Sequence, residues 1–576
     1  MATAPAETIT PPRGGSLWKE HEGGMVPTGT SGKQPSTTPA SSTNGGRGSA
    51  TPRRPQPTPR RRGARVARAA LWVVAALTLM AFLADATFSV VKVASSLNDA
   101  KDSLERGRAA FEAGDLVVAQ SEFARALEHS RDASGYSTRP ALSLIARLPL
   151  VGPDASALEA LSTAGEITAR AGMTAVRSGK LVGVQREGFA KTLYDEGQVQ
   201  LESLTSASPI VDDVADLIQE ADQTLDAAPQ PFLGIMQGVL RDSRDEIADA
   251  SDTIGRAQAL VQTLPALLGA DGQRRYFLAF QAPGEARATG GLIGLYGILE
   301  TDDGELSLGH VGPVKDVFPD LFEPPVDAPR WFREAYGPQT ALQQIQQANV
   351  SPNFPVVAEV ILRMYERAGG TSLDGVLAMD PVALEDLMAG TGSLRVDGIP
   401  IDQANAAEVV MEDSYQRFPR PAAQNLFLGH LIDKFWRKVQ KGELKGPALV
   451  EGLGHAVASQ HLKVFSATPA EQSALETLGA DGSYASEGPN VQMVFNNNYG
   501  LNKVDFYLHW EIETVAELTP QGEALVTTTA HLENRAPKGP RSLILGQENR
   551  RLKPGENRMT LNFLVPRGSE TGQLTI

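Results

Sequence analysis

From Ala69 to Ala84 the chain reads AALWVVAALTLMAFLA, sixteen residues without a charge. No other stretch restricts the possible architectures as much, because it decides on which side of a membrane the remainder lies. Crossing a hydrocarbon core of about 30 Å takes roughly 20 residues. Continuation through Thr87 and Phe88 to Val91 supplies the length, with Asp85 near the outer interface and in reach of water. Arg60, Arg61, Arg62, Arg65 and Arg68 precede the run, and only Lys92 and Lys101 follow closely. Basic flanks stay in the cytoplasm. The sequence therefore predicts one transmembrane helix over 67–91 in the cell membrane, with the N-terminus cytoplasmic and the C-terminal domain extracytoplasmic. The competing cleaved signal peptide would need an n-region of about 65 residues, far beyond the usual length. A buried helix of a soluble core would not need five arginines at its mouth.

The charge divides at the same place. Residues 1–68 hold 11 Lys and Arg against 3 Asp and Glu, a net of +8, which leaves 42 against 65 in the rest, a net of −23. Next to a span, the arginines are best accounted for by anionic lipid headgroups, at about 1 kcal/mol per basic residue near the surface. The acidic remainder repels phosphates except at a local basic pocket, so no nucleic-acid partner is expected. There is no cysteine, which excludes disulfides, thiolate metal sites and cysteine nucleophiles. An outward domain without disulfides must stand on its own core, as a bacterial envelope protein can.

Five segments follow from the patterning. Residues 1–65, rich in Pro, Gly, Ser, Thr and Arg, read as a disordered basic cytoplasmic tail. The span covers 67–91. Residues 93–267 are helical: Leu97, Leu104 and Phe111 recur every seven residues, Gly114-Asp115 breaks the pattern, and Leu116, Ala119, Phe123 and Leu127 resume it. One helix-turn-helix of tetratricopeptide kind, without a second copy at the expected period, predicts an antiparallel bundle or stalk. Residues 271–489 alternate strand-like runs with helical segments, which predicts a layered α/β domain. Within it, Asp302-Asp303-Gly304 marks a hairpin. Residues 490–576 are β-rich and predict a small sheet or sandwich. The expected fold class is thus an α/β (α+β) ectodomain with an N-terminal helical bundle, one transmembrane helix and a C-terminal β-rich segment.

The usual catalytic signatures, HExxH, Gly-x-Ser-x-Gly and Walker A, are absent, and the eight histidines are scattered. A protease, classical ATPase or zinc enzyme is not expected. The stretch QAPGEARATGGLIGLYG places Glu285 and Arg287 at a strand end before Gly290, Gly291 and Gly294. Such glycines permit tight turns and close approach of a ligand, and an arginine can grip phosphate with two donors. A β-turn with an ordinary Glu–Arg pair fits the same residues. Lys315, Asp316 and Asp320 follow in a loop, where carboxylates could hold a hard cation such as Mg²⁺ or simply be solvated. Arg417 and Arg420 stand before an apolar helix, whose N-terminus is a natural anion site. Asn502, Lys503 and Asp505 come to the mouth of a strand, as a site or as a turn with a satisfied Asn and an ion pair.

These motifs carry a resemblance. From about Leu264 to Asn534 the chain resembles the uncharacterised bacterial family called domain of unknown function 4012. The shared stretches are Arg274-Arg275-Tyr276, Glu285-x-Arg287-x-Thr289-Gly290-Gly291, SPNFP, LDGVLAMDPVALEDLMAGTG and NKVDFYLHW. Ala282-Pro283-Gly284 and Asn353 depart from the family pattern. The order of elements is more distantly similar to the LytR-CpsA-Psr catalytic domain, a glycan phosphotransferase anchored by one N-terminal span. Arg287-x-Thr289 is similar to its Arg-x-Asp-Thr stretch, with Ala288 in place of the aspartate. Arg420 with Gln424 is similar to its Arg-x-x-Arg-Gln helix start, with one arginine kept.

The resemblance implies binding, and transfer if catalysis is retained, of a polyprenyl-pyrophosphate-linked or surface polysaccharide in envelope glycan assembly. It implies Arg287 and Glu285 as catalytic residues, with Arg417, Arg420, Lys503, Asp505, Gly290 and Gly291 binding ligand. Asp316 is the candidate ligand for Mg²⁺. It also implies an apolar groove for the prenyl chain. The partners expected are the membrane, with anionic lipid at the basic tail, and a lipid-linked glycan or cell-wall polymer. A non-enzymatic structural or adhesive envelope protein is the alternative, and a transmembrane sensor a third reading.

Overall fold

The computed structural model describes residues 61–181, 194–195, 197–442, 444–484, 491–547, 549–566, 568–570, 572 and 574–575. Residues 1–60, most of the expected tail, lie outside them. Helix α1 (Arg61–Glu112) runs for 52 residues with no break at 91–93. From Leu71 it is long and apolar enough to cross a membrane. Leu77, Leu79, Met80 and Leu83 are exposed, so this run is not the buried helix of a soluble core.

Gly114 takes a left-handed φ of +73° and ends the first helical pattern. Asp115 then caps α2 (Leu116–Ser137) by accepting the Val118 N–H at 3.1 Å. After α3 (Pro140–Ile145) and α4 (Gly152–Leu181) come the short strands β1 (Tyr194–Asp195) and β2 (Gln198–Val199). Helices α5 (Leu201–Asp226) and α6 (Gly234–Leu267) complete the helical region. Small residues set the packing. A methyl at Gly107 of α1 or at Gly172 of α4 would overlap the Phe123 ring, and one at Gly165 would meet Ser130. Phe123 opposite Gly172 and Ser130 opposite Gly165 make α2 and α4 antiparallel. Leu161, Ile167, Val214, Ile218, Leu225 and Leu240 fill the core between α4, α5 and α6.

The mixed part begins with β3 (Arg274–Arg287), β4 (Gly290–Asp302), β5 (Glu305–Leu308) and β6 (Gly312–Pro313). Then follow α7 (Phe354–Arg367), β7 (Gly375–Met379), α8 (Pro381–Thr391), β8 (Leu394–Val396) and β9 (Ile399–Ile401). A helical stretch at 406–417 leads to α9 (Pro421–Gln440) and α10 (Gly446–Ala458), then β10 (Leu462–Ser466) and α11 (Pro469–Thr477). The sheet order is β1-β2-β5-β4-β3-β7-β10, with β6 on β4. Among the described strands, only β3 and β7 pair in parallel. The predicted hairpin joins β4 to β5 through Asp303 and Gly304, both at positive φ.

Alternation along the strands makes two unlike faces. Phe277, Ala279, Val376 and Ala378 pack on Val357, Ile361 and Met364 of α7 and on Phe318 and Phe332. Leu278, Phe280, Leu377 and Met379 face the other way, toward α8, α9 and α10. A bulge where Phe280 pairs Leu295 and Gln281 pairs Ile293 sends Ile293 to the first face and Leu295 to the second.

The C-terminal segment is β-rich, as expected, but among the described residues its strands form two separate ribbons rather than one sheet or sandwich: β11 (Met493–Asn498) with β14 (Met559–Leu564) and β12 (Leu508–Leu518) with β13 (Ala524–Asn534). The buried residues of β11 are Phe495 and the three asparagines Asn496, Asn497 and Asn498, which form hydrogen bonds rather than an apolar face, and β12 and β13 are exposed along nearly their whole length. The two ribbons therefore lack the facing apolar surfaces a sandwich requires.

Candidate functional site

Between the second face of the sheet and helices α8, α9 and α10 lies a cavity of about 640 Å³. Its floor is Leu278, Phe280, Leu292, Leu295, Leu377 and Met379, and Leu264 and Leu268 extend it to the end of α6. Its roof is one face of α9, read at helical spacing as Gln424, Leu428, Leu431, Phe435 and Trp436. Leu384 and Leu387 of α8 and Leu449 and Leu453 of α10 close the side. Gly294 also lines it, and a Cβ there would find only Leu292 Cδ2, at 3.9 Å. The volume falls in the usual range for small-molecule sites, about 300–1,000 Å³.

Polar groups on this lining are few. Tyr194, Gln281, Asp380, Tyr415, Asn425 and Lys503 reach it. Asp380 caps α8, accepting the Val382 and Ala383 N–H groups at 2.9 and 3.2 Å, and bonds His461 Nδ1 at 2.7 Å. That bond to Asp380 raises the His461 pKa. Two donors are different. Gln424 is 4 % exposed, and neither its Nε2 nor the Trp436 Nε1 has a hydrogen-bond partner.

The sequence-predicted residues divide around this cavity. Arg287 is buried and does not line it. All three of its nitrogens are engaged: Nε to Gln347 Oε1 at 3.0 Å, Nη1 to the Ala286 carbonyl at 2.8 Å, Nη2 to Glu285 Oε1 at 3.3 Å. Glu285 Oε2 accepts from Lys503 Nζ at 3.4 Å, and this ammonium sits 5.3 Å from the Tyr415 ring centroid. Arg287, Glu285 and Lys503 thus form a chain from a buried knot to the cavity wall.

Asp505 belongs to the knot. It accepts the Ala286 N–H at 2.9 Å, Asn498 Nδ2 at 2.6 Å and Asn557 Nδ2 at 2.8 Å. Burial pushes its carboxyl above the usual range, and these donors oppose that. Gly290 and Gly291 serve the β3–β4 connection itself. Gly290 has a φ of +136°, and a Cβ at Gly291 would overlap the Ala282 backbone.

Arg417 is exposed and 4.0 Å from Asp413. Arg420 is exposed and is the residue before Pro421, the first lining residue of α9. Asp316 stands apart. It is exposed, between Val314 and Phe318, whose side chains belong to the core on the opposite face of the sheet. Among the described residues no three His, Cys, Asp or Glu side chains converge as a metal site.

Sequence reasoning missed Trp436 and the asparagine clasp. Asn497 receives the Ala288 N–H and donates to the Val350 carbonyl, each at 3.0 Å. The run Asn496-Asn497-Asn498 was its visible signal, since three amides in a strand need partners.

Fold and cavity together define a helical N-terminal region followed by an α/β domain with an apolar pocket. Residues 271–415 of this domain match the model of a family described as a protein of unknown function, DUF4012. No curated protein and no solved structure matches the chain, and the likeness to the LytR-CpsA-Psr domain gains no support from these comparisons.

Proposed function

We propose that the chain is a single-pass envelope protein whose extracytoplasmic domain holds a lipid with one long apolar chain, the carrier of a lipid-linked or surface polysaccharide. The cavity carries this reading. A leucine-rich wall with only a few polar side chains suits a ligand that is apolar along most of its length. The anionic head of the lipid lies at the N-terminus of α9, where Arg417, Arg420 and Lys503 supply positive charge and Gln424 lines the cavity. Glu285 positions Lys503, and Arg287 supports Glu285. Glycan transfer is the finer form of the proposal, and no step in it is assigned to a metal ion. A structural or adhesive role is favoured by a different observation, the exposed β12–β13 ribbon.

Thermal melts of the full-length protein in detergent separate the two. A polyprenyl phosphate should raise the melting temperature, the matching prenol should raise it less, and inorganic pyrophosphate should leave it unchanged. Gln424→Leu should reduce the response to the phosphate lipid without lowering the melting temperature of the free protein. No response to either chain-bearing compound would overturn lipid binding and leave the structural reading.

A further inference from the structure

We infer that the turns at 144–151 and 231–239 form a second membrane contact, an apolar tip seated in the interface of the same bilayer that α1 crosses. The inference rests on the reading of α1 as a span.

The level of these turns follows from helix geometry. Gly107 of α1 and Gly172 of α4 both meet Phe123, and the two helices run in the same direction. Counting equally far back along each, at about 1.5 Å per residue, leads from Gly107 to Asp85 and from Gly172 to Leu150. An independent set of contacts fixes the same level. Arg139 Nη1 lies 3.1 Å from Asp85 Oδ1, and its guanidinium lies 5.5 Å from the Phe88 ring centroid. Phe88 in turn meets Tyr136 at 6.0 Å, edge to face. The second turn is tied to the first by Asp154, which accepts the Phe232 and Leu233 N–H groups at 3.2 and 3.0 Å. Both turns therefore end where the apolar part of α1 leaves the bundle.

What they present there is apolar. Leu148, Leu150, Val151, Phe232, Leu233 and Ile235 are between 43 and 80 % exposed. Six large apolar side chains on two joined turns make a patch rather than scattered exceptions. The charge around it selects the occupant. The part of the chain after residue 68 is strongly acidic, yet 140–153 and 227–241 contain no Asp or Glu. At the edges of the patch charge is paired, Arg139 with Asp85 at 3.1 Å and Arg241 with Asp242 at 3.9 Å, and Arg147 adds a further cation. An apolar surface free of carboxylates, level with the end of a span, matches the acyl chains of a bilayer interface.

Because the chain has no cysteine, single cysteines can carry a nitroxide label on the full-length protein. The positions are Leu79→Cys in α1, Leu150→Cys and Ile235→Cys in the turns, and Val117→Cys at the other end of the bundle. In vesicles of phosphatidylcholine and phosphatidylglycerol, relaxation by oxygen is compared with relaxation by a water-soluble nickel chelate. Expected are a deep label at 79, interfacial labels at 150 and 235, and an aqueous label at 117. Labels at 150 and 235 as aqueous as 117, with 79 deep, would overturn the tip and leave the span. An aqueous label at 79 would overturn the span and the inference with it. Spin–spin broadening at 150 would name a second copy as the occupant and also overturn the proposal.

Discussion

Glu285 is a carboxylate shared by two cations, Arg287 at 3.3 Å and Lys503 at 3.4 Å. Removing one partner of a buried pair costs about 3–5 kcal/mol, because the remaining charge is left uncompensated. Arg287→Ala is expected to lose stability on that scale in urea denaturation. A loss below about 1 kcal/mol, together with lost lipid binding, would instead make Arg287 a direct ligand contact. Lys463 offers a second test. Burial lowers its ammonium to about 8, against partial support from Asp380. Between pH 8 and the unfolded value near 10.5, the unfolded chain binds a proton that the folded one does not. Stability should therefore rise with pH across that window, by about 3 kcal/mol in all. Lys463→Met should abolish the rise, and an unchanged slope would contradict it. The cluster Glu285, Arg287 and Lys503 was legible in the sequence as a set of charged residues at strand ends. That Arg287 points into a buried knot was not, because Gln347 and Asn497, which help to build the knot, are distant in the chain.

The elements with local punctuation were readable: the β4–β5 turn at Asp303-Gly304 and the apolar helix that follows Arg420. Pairing was not, since the parallel alignment of β7 on β3 is decided by what α7 covers rather than by either strand. The C-terminal ribbons show the same limit. In β12–β13, Trp510, Ile512 and Leu518 share one side with Val526 and Leu532, while Glu511, Glu513, Glu517 and Glu533 lie on the other. Alternation of this kind predicts a strand and leaves open what covers its apolar side. A two-stranded ribbon alone is marginal in water. Amide hydrogens of 508–518 and 524–534 are expected to exchange much faster than those of β3 and β4 in the full-length protein. Equal protection would mean that a partner covers the ribbon.

At the scale of the molecule, α6 sets a distance. Its 34 residues span about 50 Å, from the turn at Gly234 to Leu264 and Leu268 on the cavity wall. On the proposed reading, a lipid held there would lie clear of the bilayer, in a cavity whose lining is largely apolar. The resemblance noted in the sequence implied an apolar groove, but its walls come from residues between 194 and 543 and only the fold brings them together. Gly294 gives a clean way to close it, since a side chain there has room to enter the cavity without meeting backbone. The most direct measurement is native mass spectrometry of the full-length protein, extracted gently from its membrane, wild type beside Gly294→Leu. The account predicts a co-purifying lipid phosphate or pyrophosphate on the wild type and its loss from the variant. A folded wild type that emerges empty, or a variant that keeps the same lipid, would contradict it.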